Sequence, residues 1–342
     1  MSEFEFSPGI DLPRRVSNPP LKVWLRHLFW FLLTFVTTTL TGSVPFFFIG
    51  ELLPPIADPE TVQQGVTLIL SIPIFYFQAI GSLFILLSRH PELLKDGLIY
   101  ATSLLFILTC HEFGHYIACR LYRVESTLPL FIPSPPLIAV GTFGAFIRML
   151  SPLPSRKATF DIGVAGPIAG FIALIPIAIA GVYLAQPAPP PPPGMSAQYI
   201  FNDPLLMRLI AWCMGVDLAN SVTNPLYMSA WIGLLVTSLN LIPAGQLDGG
   251  HAVYAVFGKR IHAIIARVAF LAMLVLSILG FIIYNSPSGI LFVVILAIML
   301  RVGHPEPYYN TPLDWKRLIV AALTLLIFIL SFAPFPIQIN LL

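Results

Sequence analysis

Long apolar runs separated by short polar stretches dominate the chain, and their lengths predict helices that cross a lipid bilayer. A span needs roughly 20 predominantly apolar residues. Trp24–Gly50, Val66–Leu87, Leu98–Leu121 and Phe160–Leu184 meet that length. Further apolar segments run over Pro225–Pro243, Ile264–Tyr284, Ile290–Arg301 and Leu318–Ile339, the third of them short. The pattern predicts an all-α polytopic membrane protein with about 7 to 8 apolar segments.

Between the third and fourth segments the pattern changes. Leu128–Lys157 is dense in Pro and Gly, and within it Val140–Met149 has strand-like composition interrupted by Gly141 and Gly144. This predicts a short β hairpin or strand after the third helix. Other interruptions are connectors: the acidic, proline-containing Glu51–Glu60, the polar Ser196–Asn224, and a proline run between Gln186 and Met195 that makes a stiff polyproline II spacer. Residues 1–22 mix charges with prolines and lack the basic start and apolar core of a cleaved signal. They are expected to be a disordered tail, leaving 23–342 as a single membrane-embedded domain with its core at 98–251.

Composition reinforces the membrane assignment. The 342 residues are 57% hydrophobic and only 10% charged, against about 25% charged in soluble domains. A net charge of +2 and the lack of a basic patch interleaved with aromatics exclude a nucleic-acid partner. Cys110, Cys119 and Cys213 are too few for a disulfide framework and are expected to be packing residues.

The chemistry concentrates in Leu105–Tyr116, LFILTCHEFGHY. His111 and His115 are four apart, so a helix puts them on one face, and Glu112 completes the H-E-x-x-H pattern that binds zinc in metalloproteases. Cys110 points about 100° away from its neighbour His111 and does not share that face. The preceding run, Leu98–Cys110, carries no charge. Ionisable groups at membrane depth are costly and mark functional sites, which disfavours a pair of histidines merely satisfied by backbone groups.

A catalytic zinc usually takes three protein ligands and leaves a fourth position to water. Asp248 is the best third ligand, in Asn240–His251, NLIPAGQLDGGH. There Pro243 breaks the preceding helix, and Gly245, Gly249 and Gly250 allow an irregular backbone. Such backbone is tolerated at membrane depth only where it is buried or lines a wet cavity. Asp-Gly is also a turn signal, which is the bland alternative. Other features read as structural. Gly163, Gly166 and Gly170 recur at about one-turn spacing, which suits close helix packing. His251 is expected to be a loop histidine near the interface, with orientation of a ligand as the alternative. Arg148 is expected to reach headgroups, and His304 to sit in a proline-rich connector.

His111-Glu112-Phe113-Gly114-His115, followed later by Asn240-x-x-Pro243-x-x-x-Leu247-Asp248-Gly249, resembles the site-2 protease family of intramembrane zinc metalloproteases. Gly141-Thr142-Phe143-Gly144 and Ala165-Gly166-Pro167 also resemble that family's core, and the likeness covers about Leu98–His251. No insert is long enough for a PDZ domain, so the resemblance is to the branch without one. It implies a Zn2+ ion held by His111, His115 and Asp248, with Glu112 as general base and Asn240 as hydrogen-bond donor to the oxyanion. It also implies a substrate strand docked along Gly144, Ala145 and Phe146, a transmembrane protein as substrate, a lipid bilayer as surroundings, and a role in regulated proteolysis. The competing class is a metal-handling membrane protein or transporter using the same ligands. Glu112 discriminates, because peptide hydrolysis needs a base beside the metal and ion transport does not.

The positive-inside rule puts Arg120, Arg123, Arg156, Lys157, Lys259, Arg260, Arg301, Lys316 and Arg317 on the cytoplasmic side. The site is then expected near the cytoplasmic face. Arg14, Arg15, Lys22 and Arg26 also favour the cytoplasm, which leaves Val66–Leu87 an even number of crossings. A re-entrant or interfacial segment around Pro73 resolves the conflict, and an N-terminus outside is the alternative.

Overall fold

The computed structural model describes residues 18–44, 52, 61–138, 140–187 and 197–341. Within them run nine helices: α1 (Leu21–Gly42), α2 (Val62–Arg89), α3 (Glu92–Leu121), α4 (Arg156–Tyr183), α5 (Leu205–Met214), α6 (Pro225–Asn240), α7 (Asp248–Tyr284), α8 (Ser288–Val302) and α9 (Trp315–Ser331). Three two-stranded antiparallel sheets join them. β1 (Leu130–Pro133) pairs with β2 (Thr142–Phe146), β3 (Gln186–Pro187) with β5 (Ser221–Val222), and β4 (Ala197–Phe201) with β6 (Ile337–Leu341).

Five helices among the described residues are long and apolar enough to cross a membrane: α1, α2, α3, α4 and α7. Helices α6, α8 and α9 have 16, 15 and 17 residues, shorter than the roughly 20 of a straight crossing. The count of 7 to 8 apolar segments therefore becomes five candidate spans and shorter helices. The first helix begins at Leu21, inside the stretch expected to be a tail, and the last apolar run leaves its helix at Ser331 and continues as β6. Residues 1–17 of that tail, most of the acidic connector and most of the proline run lie outside the described residues.

Local sequence explains the boundaries. Thr61 and Gln64 form a reciprocal capping box that opens α2, and the Ser155, Asn224 and Asp314 side chains accept backbone N–H groups at the starts of α4, α6 and α9. Helix α2 is continuous through Pro73 for 28 residues, so the break expected of a re-entrant segment is not there. Helix α7 is interrupted at Gly258, whose φ of 80° and ψ of 175° are non-helical. The carbonyls freed just before that break are claimed by Arg156, which donates to Ala255 O at 2.8 Å and Val256 O at 2.9 Å. One side chain thus ties the start of α4 to the bend of α7.

The core lies between α3, α4 and α6, where Leu104, Leu174, Ala178, Ala230 and Leu234 have no exposed surface. Half of the α4 membrane window is buried, against 11% of that of α2. Helix α4 is therefore an inner post and α2 a peripheral one.

The predicted hairpin is present as β1–β2, and α1 holds it. Thr37 and Thr38 donate to Gly141 O at 2.8 and 3.2 Å, Thr41 Oγ1 accepts from Leu137 N at 3.1 Å, and the Tyr100 hydroxyl donates to Val140 O at 3.1 Å. Gly141 has a φ of +85°, and a Cβ there would stand 2.4 Å from Thr38 Cα. A substitution would therefore lift the hairpin from α1.

Candidate metal centre

Helix α3 delivers His111, Glu112 and His115 to the protein interior at 4%, 6% and 7% exposure. Their spacing aligns the two imidazoles. Helix α4 packs against them through the glycines at 166 and 170, while Gly163 faces His251 of α7. A Cβ on Gly166 would lie 2.0 Å from His115 Nε2, and one on Gly170 would lie 3.0 Å from His111 Cβ. Gly114 repays the closeness from the other side, since its own Cβ would meet Ala165 O at 2.4 Å. The one-turn glycine spacing is thus a packing device, and two of its three glycines pack against the histidine pair.

The third group arrives from α7. Helix α6 ends at Asn240, a turn runs through Leu241–Leu247 with Gly245 at φ +55°, and α7 opens on Asp248. Gly249 and Gly250 are helical rather than irregular. Cβ atoms on them would stand 2.0 Å from Leu241 O and 2.5 Å from Gly245 O, so they let the new helix start against the turn.

Three donor atoms converge. His111 Nε2 and His115 Nε2 are 3.2 Å apart, and each is 3.3 Å from Asp248 Oδ2. His115 Nδ1 stands 2.7 Å from Ile162 O. A carbonyl only accepts, so Nδ1 carries the hydrogen, and in the neutral ring, the form that binds a metal, a bare Nε2 faces inward. Two imidazole lone pairs and a carboxylate oxygen facing one point repel unless a cation lies between them. Tetrahedral zinc with ligands at about 2.0–2.1 Å spaces them about 3.4 Å apart. The donor types and separations fit zinc, and among the described residues this is the group of three or more such side chains whose ligand atoms all lie within 4.8 Å.

The donors open on a cavity of about 410 Å³, which also exposes Glu112, Asn240, Arg148 and His251. Asn240 Nδ2 stands 3.3 Å from His111 Nε2. Ala145, Phe146 and Ile147, at and just beyond the end of β2, also line the cavity. Gly144, with a φ of +99°, precedes them in the strand but is not in the cavity wall.

These features match a known family. The model of Peptidase family M50 covers residues 99–280, more than half of the chain. The chain belongs to Peptidase family M50. This is the site-2 protease family, and its match extends past His251 through most of α7. Among curated relatives, "Probable zinc metalloprotease EGY2, chloroplastic" of Oryza sativa subsp. indica is 33% identical over 185 residues, 52% of this chain and 32% of that protein. "Probable zinc metalloprotease EGY1, chloroplastic" of Arabidopsis thaliana is 35% identical over 164 residues, 46% and 29% of the two chains. "Probable zinc metalloprotease EGY3, chloroplastic" of Oryza sativa subsp. indica is 26% identical over 249 residues, 67% and 41%. The match thus spans about a third of the length of the first of these relatives. No solved structure matches the chain. Zinc is the metal that family membership and the relatives imply, in agreement with the donor set.

Several side chains stand where the sequence pattern did not put them. His251 is not a loop residue at the interface: it lies in the first turn of α7, 5% exposed, in the cavity wall. His304 is in the connector between α8 and α9 as expected, yet it folds back onto His251, its Nε2 2.7 Å from His251 Nδ1. Arg148 lines the cavity, and Cys213 is exposed on α5 rather than packed. Sequence reasoning also missed the Ile162 carbonyl that fixes the His115 ring. Backbone groups leave no residue signature, although Ile162 adjoins the glycine run that brings α4 close.

An ion pair joins the ends of α3, α4 and α9. Arg317 at the start of α9 donates to Asp161 of α4 at 2.6 and 2.9 Å, and Tyr122, just past α3, hydrogen bonds the same carboxylate. Burial, then the Asp161 carboxylate, pushes the Tyr122 hydroxyl up to about 12. It therefore stays a donor and keeps the helix ends joined at any physiological pH.

Proposed function

We propose that this chain is an intramembrane zinc endopeptidase that cuts a peptide bond in or near a transmembrane segment of another membrane protein. One observation carries the proposal: a buried carboxylate, Glu112, shares a cavity with three convergent metal donors in a chain of membrane-type helices. Ion transport needs the donors but not Glu112.

His111, His115 and Asp248 would hold the zinc, which when bound supplies Lewis acidity and lowers the pKa of water toward about 7. Glu112 then takes the proton of the attacking water and passes one to the leaving amine. Asn240, whose amide already lies beside His111, donates to the scissile carbonyl oxygen as negative charge builds on it, a contact typically worth about 3 kcal/mol. A helical substrate covers its own peptide bonds, so it must unwind locally. Gly144, Ala145 and Phe146 of β2 offer the unwound segment a strand to pair with, since β2 is paired on one side by β1.

In this scheme 23–342 acts as one membrane domain surrounded by lipid, and the site lies near the cytoplasmic face. That orientation is supported by the basic residues at the His115 end of the bundle. The substrate class is a single-span membrane protein or its membrane-retained fragment, in keeping with regulated proteolysis.

The test compares wild type with Glu112→Gln in detergent, reading zinc content and cleavage of a model transmembrane substrate. The expected result is one zinc per chain in both and cleavage in wild type alone. Normal cleavage by Glu112→Gln, or no zinc in wild type, overturns the assignment.

A further inference from the structure

Beside the metal donors, α7 and the connector after α8 bring together a second cluster of rings that the hydrolytic scheme leaves unused. His251 lines the cavity, and its Nδ1 stands 2.7 Å from His304 Nε2. His304 Nδ1 in turn stands 2.6 Å from the Pro305 carbonyl oxygen. Tyr254 stacks on His304 with ring centroids 4.1 Å apart and planes 11° from parallel, which fixes the plane of the ring.

The hydrogens in this chain follow from the carbonyl. Pro305 O only accepts, so His304 Nδ1 carries a hydrogen. Desolvation, reinforced by His251 and His262, holds the His304 ring down to about 3, so the ring is neutral at physiological pH. Its Nε2 is then a bare acceptor, and the donor facing it is His251 Nδ1–H. The same alternation leaves His251 Nε2 bare, and no donor among the described residues claims it. Gly163 makes room for the ring, since a Cβ there would lie 2.6 Å from His251 Cβ.

Resting on the metalloprotease function above, we propose that His251 is a further substrate-binding residue. The Pro305 carbonyl, acting through His304, locks it as the Nδ1–H tautomer and presents its bare Nε2 to the cavity as an acceptor for a backbone N–H of the unwound substrate. His304 is the positioning residue. The rest of the cavity supports this choice of ligand. Asn240 and Arg148 offer donors suited to substrate carbonyls, whereas Glu112 and Asp248 have other tasks. An unwound peptide brings an N–H with every carbonyl, and it needs a neutral acceptor that does not strip its proton.

The experiment uses the full chain in detergent with a model transmembrane substrate, and zinc content is read for every variant. His251→Asn puts an amide nitrogen near the Nδ1 position and keeps the bond to His304 without the inner acceptor. His251→Gln puts an amide oxygen near the Nε2 position and keeps the acceptor. We expect His251→Asn to raise KM about tenfold, the scale of one hydrogen bond, with kcat and zinc content little changed. His251→Gln should stay within about threefold of wild type, less than half of that free energy. His304→Phe keeps the stack on Tyr254 and should raise KM by an intermediate factor. Nitrogen-15 NMR of labelled histidines reads the tautomer without any cleavage: His251 is expected as Nδ1–H in wild type and as a mixture in His304→Phe.

An Nε2–H tautomer in wild type overturns the inference. So does equal KM in the Asn and Gln variants, or loss of zinc in His251→Asn, which would make His251 a ligand. These results, obtained with an active, zinc-containing wild type, leave the protease function standing. A wild type that neither binds zinc nor cleaves overturns both.

Discussion

Two clusters on the first turns of α7 use the same kinds of side chain and differ in where their lone pairs point. In one, His111, His115 and Asp248 turn acceptor atoms toward one another at 3.2 to 3.3 Å. In the other, the Pro305 carbonyl, His304 and His251 alternate donor with acceptor at 2.6 and 2.7 Å. Both are set by a backbone carbonyl at an Nδ1, that of Ile162 for His115 and that of Pro305 for His304. The first arrangement is incomplete without a cation, and the second is closed by hydrogen atoms alone. A group of histidines is therefore a metal centre only when its lone pairs converge, which the residue count does not reveal.

The largest effect should come from removing a vertex of the first cluster. Asp248→Ala leaves two imidazoles to hold the metal, and we expect zinc and cleavage both to fall to background, read by metal analysis and by product formation. Glu112→Gln is expected to separate the two, with cleavage down by about 10²–10⁴-fold, the usual range for a general base, at unchanged zinc content. Asp248→Ala that still carries a full zinc would break the comparison at its root, because the convergent lone pairs would then not be the metal site.

The two clusters also differ in how far the sequence announces them. His111 and His115 are legible because a four-residue spacing on a charge-free helix fixes their shared face before any tertiary contact forms. Asp248 is legible because the break at Pro243 and the following glycines mark backbone that must line something. His251 and His304 lie 53 residues apart, and only the packing of α7, α8 and the connector brings them together. The same limit hides the pairing of β3 with β5 and of β4 with β6, which joins segments far apart in the chain. Helix lengths were the least legible part. Hydropathy extends the last apolar run to Ile339, but Ile337–Leu341 pairs with β4 instead, because a strand partner satisfies that backbone better than one more helical turn ending at Pro334 and Pro336.

A smaller effect tests the surroundings of the first cluster. A Cβ at position 166 would sit 2.0 Å from His115 Nε2, so the ring must move for Gly166→Ala to fold. Misaligned ligands typically lose about 10–100-fold in metal affinity, and a chelator competition should read that loss. Gly81→Ala in α2 is the control, since nothing lies within 4 Å of a Cβ there, and its zinc affinity should match wild type. Equal affinity in both variants would mean that α4 does not hold the histidine in place.

The smallest effect belongs to the edge of the second cluster. His262 is 5% exposed and touches Tyr254 and His304 edge-on, yet its Nε2 is buried with no hydrogen-bond partner among the described residues. A buried polar atom left unpaired costs about 1–3 kcal/mol, and replacing it with a ring that has no such atom removes that cost. The larger phenyl ring returns some strain in a packed site. His262→Phe should therefore unfold in detergent at the wild-type midpoint or slightly above it, a gain of about 1 kcal/mol at most. Its zinc content and cleavage should be unchanged, since the chain from Pro305 to His251 does not pass through it. A loss of more than about 3 kcal/mol in the same unfolding measurement, beyond the usual strain of an enlarged side chain, would show that Nε2 has a partner after all. The second cluster would then not be closed, and its difference from the metal centre would be one of degree.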